Sequence, residues 1–303
     1  MTMDAQRVTL VSGGQPMAGR LYPALSADGP APAVAIIGPM TSVKEQAPMR
    51  YAERLAASGF TTLVFDPRYR GESGGEPRNL EDPVAKVADL RAAVEFLAGR
   101  PEADADRLAV IGICMGGNTA VHAAADDPGI RAVAAITPHM RNAEADAQWL
   151  GGPEAVAARL ARGRRALARY EATGEVEYVA AVDKTDPEVG MPGELPWSWY
   201  QPQADLGIWE NRYAVQSDAV LLTYESLTAA ARLTKPFLLI HGDNCALPDQ
   251  ARRHFEAVPA ADKVHLRPDT PHLAFYDDPT AIATATGQIV DWFDRHLGPA
   301  TAR

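Results

Sequence analysis

RLAVIGICMGGNTA, residues 107–120, changes character halfway along. Leu108, Ala109, Val110 and Ile111 form a continuous apolar run, as in a strand covered on both faces. From Met115 onward small residues open a helix, expected over 115–125. Between the two, Gly112 and Gly116 stand two residues either side of Cys114. A turn that passes straight from strand to helix brings those flanking positions together, and side chains there would collide. The turn lifts Cys114 off the strand end into a cleft, as the nucleophile of a G-x-Nuc-x-G elbow. It also places Cys114 at a helix N-terminus, whose unpaired N–H groups favour a thiolate. The backbone N–H of Met115 stands where it can donate to an oxyanion.

The same alternation extends in both directions. APAVAIIG (31–38), TTLVFD (61–66), RAVAAITP (131–138), PFLLIHG (236–242) and KVHLRP (263–268) read as further strands. Helices are expected at 45–58, from Asp82-Pro83 to Leu97, at 248–258 and from Asp278-Pro279 to Leu297. Strands alternating with helices predict an α/β chain with a mostly parallel sheet and helices on both faces. Residues 6–24, with Gly13-Gly14 between two strand-like runs, predict an antiparallel hairpin at its edge. The rhythm stops over 140–230, which opens with an Ala/Arg-rich helix (153–170) and holds four of the five tryptophans. So long a stretch between core strands predicts an inserted cap over the carboxyl ends of the strands, the core being 1–139 and 231–303.

A second match, Gly71-Glu72-Ser73-Gly74-Gly75, is separated from its strand by PRYR and is followed by Glu76-Pro77, so it reads as a loop. His272, just past the last strand, is the expected base. His122, His254 and His296 fall in helices and His241 and His265 on strands, whereas His139 ends the strand before the cap and either lines the pocket or is an ordinary satisfied histidine. The acid should follow PFLLIHG, where Gly242-Asp243-Asn244-Cys245 puts a cysteine in the slot that a carboxylate commonly fills. Asp243 is preferred to Asp249, which an N-cap role explains; Asn244 and Cys245 would support the base from beside it. A thiol is acidic enough that a Cys–His pair can work with a weak third member.

Composition narrows the partners. The chain has 303 residues, 47% of them hydrophobic, and a net charge of −10. Its arginines are scattered among acids, which argues against nucleic acid. No apolar run reaches the ~20 residues of a membrane helix, and MTMDAQRVTL carries no leader-like h-region, so a cytoplasmic, membrane-free protein is expected. Two cysteines are too few for a disulfide framework. No residue cluster has metal spacing and no glycine-rich loop remains for a nucleotide, so no cofactor is expected; the partner is a small-molecule substrate, and a homodimer is left open.

Together these features resemble the α/β-hydrolase superfamily over most of the chain. GICMGG resembles the elbow of dienelactone hydrolases, cysteine enzymes that open enol-lactones. VKEQ (43–46), FDPRYRGESGGEPRNLEDP (65–83) and HLAFYD (272–277) resemble a dienelactone-hydrolase-like branch that includes fungal polyketide transferase-like proteins, although Gly38-Pro39 stands where that branch often has His-Pro. The resemblance implies an α/β-hydrolase fold, a second oxyanion donor at the N–H of Met40, and Glu45 near the thiol unless it is only a solvated helix start. The expected reaction is cleavage of an ester, lactone or thioester through an acyl-enzyme on Cys114. Acyl transfer or cyclisation from the same intermediate is the alternative, and an inactive ligand-binding member of the fold is a third reading. Trp197, Trp199, Tyr200 and Trp209 are expected either to contact substrate or to form the cap's own core or a dimer interface.

Overall fold

The computed structural model describes residues 5–25 and 29–298; the extreme ends of the expected core, 1–4 and 299–303, lie outside the described residues. The chain opens with a hairpin, β1 (Gln6–Ser12) and β2 (Gln15–Tyr22), turning at Gly13-Gly14. Then come β3 (Ala31–Ile37), α1 (Ala47–Ala57), β4 (Thr61–Phe65), α2 (Pro83–Ala98), β5 (Ala103–Ile113), α3 (Met115–Asp126) and β6 (Ile130–Ile136). Between β6 and its sheet neighbour lie α4 (Ala143–Leu150), α5 (Pro153–Thr173), β7 (Tyr178–Val179), β8 (Val182–Asp183), β9 (Met191–Pro192), α6 (Glu194–Asp205), β10 (Tyr213–Ala214), α7 (Ser217–Leu221) and α8 (Leu227–Ala230). The chain closes with β11 (Phe237–Ile240), α9 (Pro248–Ala257), β12 (Lys263–Leu266), α10 (Ala274–Asp277) and α11 (Pro279–Leu297).

Eight strands form one sheet in the order β1-β2-β4-β3-β5-β6-β11-β12. From β4 to β12 every pairing is parallel, and the hairpin joins antiparallel at the edge, as the sequence pattern predicts. All seven residues of β3 are buried, because α1 and α11 cover one face of the sheet and α2 and α3 the other. β5 begins earlier than its apolar run, since Ala103 already pairs with Ala31 of β3 before the register shifts and Leu108 pairs with Ala33. Side-chain caps from Asp82 and Asp278 set where α2 and α11 start.

The VKEQ and GESGG segments meet at a buried lysine. Lys44 Nζ contacts Asp66 at 2.8 Å, Glu72 at 2.7 Å and Glu45 at 2.9 Å, while Asp66 also accepts the backbone N–H groups of Lys44 and Glu72. Removing one partner of such a buried pair typically costs about 3–5 kcal/mol. Ser73 is spent in the same region: it accepts from Ala18 N–H and donates to the carbonyl of Asp66, so residues 71–75 form a structural loop. These contacts fix the chain that leaves β3, which is one wall of the site.

Candidate active site

The elbow is made by contacts that exclude side chains. A Cβ on Gly112 would lie 2.0 Å from the carbonyl oxygen of Gly116, and one on Gly116 would lie 2.4 Å from that of Ile37. Cys114 sits at the apex with φ 53°, a left-handed value that a residue with a side chain adopts at a cost. Three further non-glycine residues with positive φ stand where the chain turns away from neighbouring strands: Thr41 at 62°, Thr137 at 40° and Leu247 at 54°. Strained backbone of this kind gathers at functional sites, and here it rings the carboxyl ends of β3, β5, β6 and β11.

The Cys114 thiol is the meeting point of several groups. The backbone N–H groups of Met115 and Met40 are both directed at it, and so is the hydroxyl of Tyr276. Tyr276 Oη lies 2.9 Å from His272 Nε2, so the hydroxyl stands between thiol and imidazole. On its other side His272 Nδ1 faces the backbone N–H of Ala246 at 3.4 Å and can only accept there. The ring proton therefore belongs on Nε2, donated to Tyr276, whose own proton points at the sulfur. Burial pushes the thiol above its ordinary range, and the three donors offset only part of that rise. Burial, reinforced by His241, lowers His272 to about 3. Both shifts favour a neutral thiol beside a neutral imidazole.

Asp243 does not orient His272. Its carboxylate turns outward to Arg252 at 2.7 Å and Arg267 at 2.8 Å, and the Arg267 hydrogen bond holds it below the usual carboxylate range. Asp249 is exposed and pairs with the same Arg252, and Asn244 donates to Asp269. Cys245 is buried with its sulfur 3.6 Å from the carbonyl of Thr270. Among the described residues no carboxylate hydrogen-bonds to the imidazole. Glu45 does not approach the thiol either, because Lys44 and Arg20 hold it.

Cys114, His272, Tyr276, Met40 and Met115 line one cleft. Of the four aromatic residues expected to contact substrate, only Tyr200 reaches its wall. The others are held elsewhere. Trp209 Nε1 donates to the carbonyl of Thr41 at 2.8 Å, and Tyr200 Oη to that of Met40 at 2.5 Å. Trp199 donates to Asp277 and packs edge-on against Tyr200 and Tyr276, while Trp197 lies under Lys184. His139 does line the cleft, edge-on to Trp149.

Part of the lining of the same cleft is charged. Arg159 of α5 grips Asp218 of α7 through Nε at 3.0 Å and Nη2 at 3.3 Å, and Tyr213 Oη donates to the same carboxylate. Arg141, beside it, is paired with Asp146 at 2.5 Å. The sequence reading passed over Tyr276 and Arg159. For Tyr276 a signal existed: it lies four residues after His272, one helical turn along. Arg159 carried none, because its partner is 59 residues away in chain order. Among the described residues there is no group of three His, Cys, Asp or Glu able to hold a metal, and no helix long and apolar enough to cross a membrane.

A family model described as serine aminopeptidase, S33, matches residues 46–279. The chain is 27% identical over 266 residues to a thiohydrolase of Eupenicillium brefeldianum, covering 86% of this chain and 84% of that one. It is 28% identical over 270 residues to the polyketide transferase claH of Penicillium crustosum, covering 86% and 87%. The crystal structure of the α/β hydrolase GrgF from a Penicillium species superposes with a TM-score of 0.84 over 97% of this chain and 99% of that one, at 23% identity. With its parallel sheet, its elbow and a match over most of its length, the chain belongs to the serine aminopeptidase (S33) family of α/β hydrolases.

Proposed function

We propose that the protein cleaves an ester, lactone or thioester through an acyl-enzyme on Cys114, with residues 140–230 as a cap over the site. The observation that carries this reading is the convergence of two backbone N–H groups and the Tyr276–His272 pair on one strained thiol. As the sulfur bonds to the substrate carbonyl carbon, the thiol proton passes to Tyr276 while the Tyr276 proton passes to His272 Nε2. That uptake needs the imidazole to carry its own proton on Nδ1, at the loss of one long contact to Ala246. The carbonyl oxygen takes up negative charge within reach of Met115 and Met40 N–H. When the bond to the leaving alcohol or thiol breaks, His272 returns the proton along the same path. Water then attacks the acyl-enzyme, His272 takes its proton, and the acid leaves with the thiol restored. A relative that is a thiohydrolase favours a thioester as the first substrate to try. Transfer to an alcohol or amine would use the same intermediate with a different acceptor, and a polyketide transferase among the relatives keeps that reading open to test.

The test is intact mass after mixing with activated esters, lactones and acyl-thioesters, with and without an added alcohol or amine. An acyl adduct on Cys114, absent in Cys114→Ala, is expected. Turnover by Cys114→Ala at the native rate would end the reading, and binding without adduct or turnover would leave only a ligand-binding role.

A further inference from the structure

The segment RNLEDP (78–83), which leads into α2, carries a carboxylate that the chemistry at Cys114 leaves unused. Glu81 is fully buried, and its side chain reaches the loop after β3. Its Oε2 accepts the backbone N–H of Thr41 at 3.0 Å, while Oε1 is paired with Lys86 of α2. Lys86 supplies the countercharge that a buried carboxylate needs. The backbone N–H of Glu81 donates to Ser217 Oγ of α7 at 2.9 Å, so the residue is tied down from that side as well. Replacing a buried ion pair with apolar residues is often neutral or stabilising, so stability alone does not account for this one.

We infer that Glu81 is a positioning residue for oxyanion stabilisation: by anchoring the Thr41 N–H it holds the Met40 N–H in line with the site where the oxyanion forms. The inference rests on the acyl-enzyme reading and deepens it. Three consecutive peptide units carry it. In the Pro39–Met40 unit the carbonyl accepts from Ser42 Oγ at 2.9 Å, and the N–H is the one directed at the Cys114 thiol. In the Met40–Thr41 unit the carbonyl accepts from Tyr200 Oη and the N–H donates to Glu81. In the Thr41–Ser42 unit the carbonyl accepts from Trp209 Nε1 and the N–H donates to the carbonyl of Pro39 at 3.3 Å. Glu81 is the one charged side chain among these partners, and a charge-assisted hydrogen bond is about twice as strong as a neutral one. That strength matters at Thr41, whose φ of 62° is a backbone state that a β-branched residue gives up when nothing holds it. Relaxing it would turn the Met40–Thr41 unit and carry the Met40 N–H away from the sulfur.

The experiment compares two double variants that both remove the buried charges. Glu81→Gln with Lys86→Met keeps an oxygen for the Thr41 N–H, and Glu81→Met with Lys86→Met takes it away. Any effect of Lys86 on the thiol is common to the two. Acylation of Cys114 by the octanoyl N-acetylcysteamine thioester is followed by mass and turnover by thiol release. An octyl trifluoromethyl ketone, to which the thiol adds so that the carbonyl oxygen becomes an oxyanion, probes the donors directly. Iodoacetamide probes the thiol alone, since iodide leaves as the sulfur–carbon bond forms and no oxyanion develops. The variant without the oxygen is expected to fall about tenfold below the other in kcat/KM, part of the roughly 10²–10³-fold that outright loss of an oxyanion donor costs. Its affinity for the ketone is expected to weaken by the same factor, with iodoacetamide labelling equal in the two. If that variant does not fold, Glu81→Asp keeps a charge beside Lys86 and shortens the reach to Thr41, and the same two losses are expected against the native protein. Equal turnover and ketone binding in the two variants would overturn the positioning role while leaving the acyl-enzyme standing. So would a loss shared by iodoacetamide labelling, which would make Glu81 a support of the whole site. No acyl adduct on the native protein from any activated ester, lactone or thioester would overturn both.

Discussion

Tyr276 separates this site from a simple Cys–His pair. Its hydroxyl is the only described group that touches both the Cys114 thiol and His272. Tyr276→Phe keeps the ring packed on Trp199 and removes the bridge. Its kcat is expected to fall by about 10²-fold, the scale of a lost proton-transfer group, with KM and melting temperature little changed. A loss in KM or stability alone would make the hydroxyl structural. The thiol offers an independent readout. Because burial pushes its pKa up and holds His272 neutral, little thiolate exists at neutral pH. Iodoacetamide labelling of Cys114 should therefore climb with pH through and beyond the ordinary thiol range, more slowly at each pH in Tyr276→Phe. A rate that is flat between about pH 6 and 8 would mean a preformed thiolate–imidazolium pair and would sink this account. At this scale the sequence was informative where chemistry is tied to backbone: glycines around Cys114, a histidine after the last strand. It misled at Asp243, whose carboxylate found two arginines at the surface instead of the ring.

At the scale of elements, strand and helix positions were legible because the apolar runs of β3, β4, β6 and β11 are buried along nearly their whole length and Asp82-Pro83 and Asp278-Pro279 mark the starts of α2 and α11. Between β6 and β11 the Ala/Arg-rich helix was legible and is α5, whereas the remaining elements are short and their partners distant. The aromatic residues there illustrate the point. Read alone, Trp209 is as good a substrate contact as any; in place, it is 4% exposed and its N–H is spent on the Thr41 carbonyl. Thr41 is itself strained and donates its N–H to Glu81 at 3.0 Å. Trp209→Phe, which keeps an aromatic ring and loses the N–H, should thus lower kcat several-fold on small and bulky acyl groups alike, because the Met40 donor loses a support. A KM increase confined to bulky substrates would instead place Trp209 in the binding surface.

For the whole molecule the burial of histidines predicts its response to acid. Burial lowers His122, His241 and His254 to about 4, and His272 to about 3, from an ordinary 6.5. Unfolded, each takes a proton near 6.5; folded, each stays neutral until well below that. Between those values the unfolded chain binds more protons, so stability is full above about 6.5 and declines as pH falls towards 4. Asp66 and Asp89, whose carboxyls burial pushes up, act in the opposite sense and make the decline shallower. Thermal melts should show the melting temperature dropping steadily from pH 7 to 5, and a flat profile would contradict the neutral-histidine assignment. The hydrogen bonds from Tyr200 and Trp209 to the carbonyls of Met40 and Thr41 carry a different consequence. Transplanting the 140–230 segment from a relative to change what the enzyme accepts would also replace the struts under the loop proposed to hold the oxyanion. Substrate range and turnover are then inherited together, and chimeras cut at 140 and 230 will succeed only where the graft brings donors that reach the carbonyls of Met40 and Thr41.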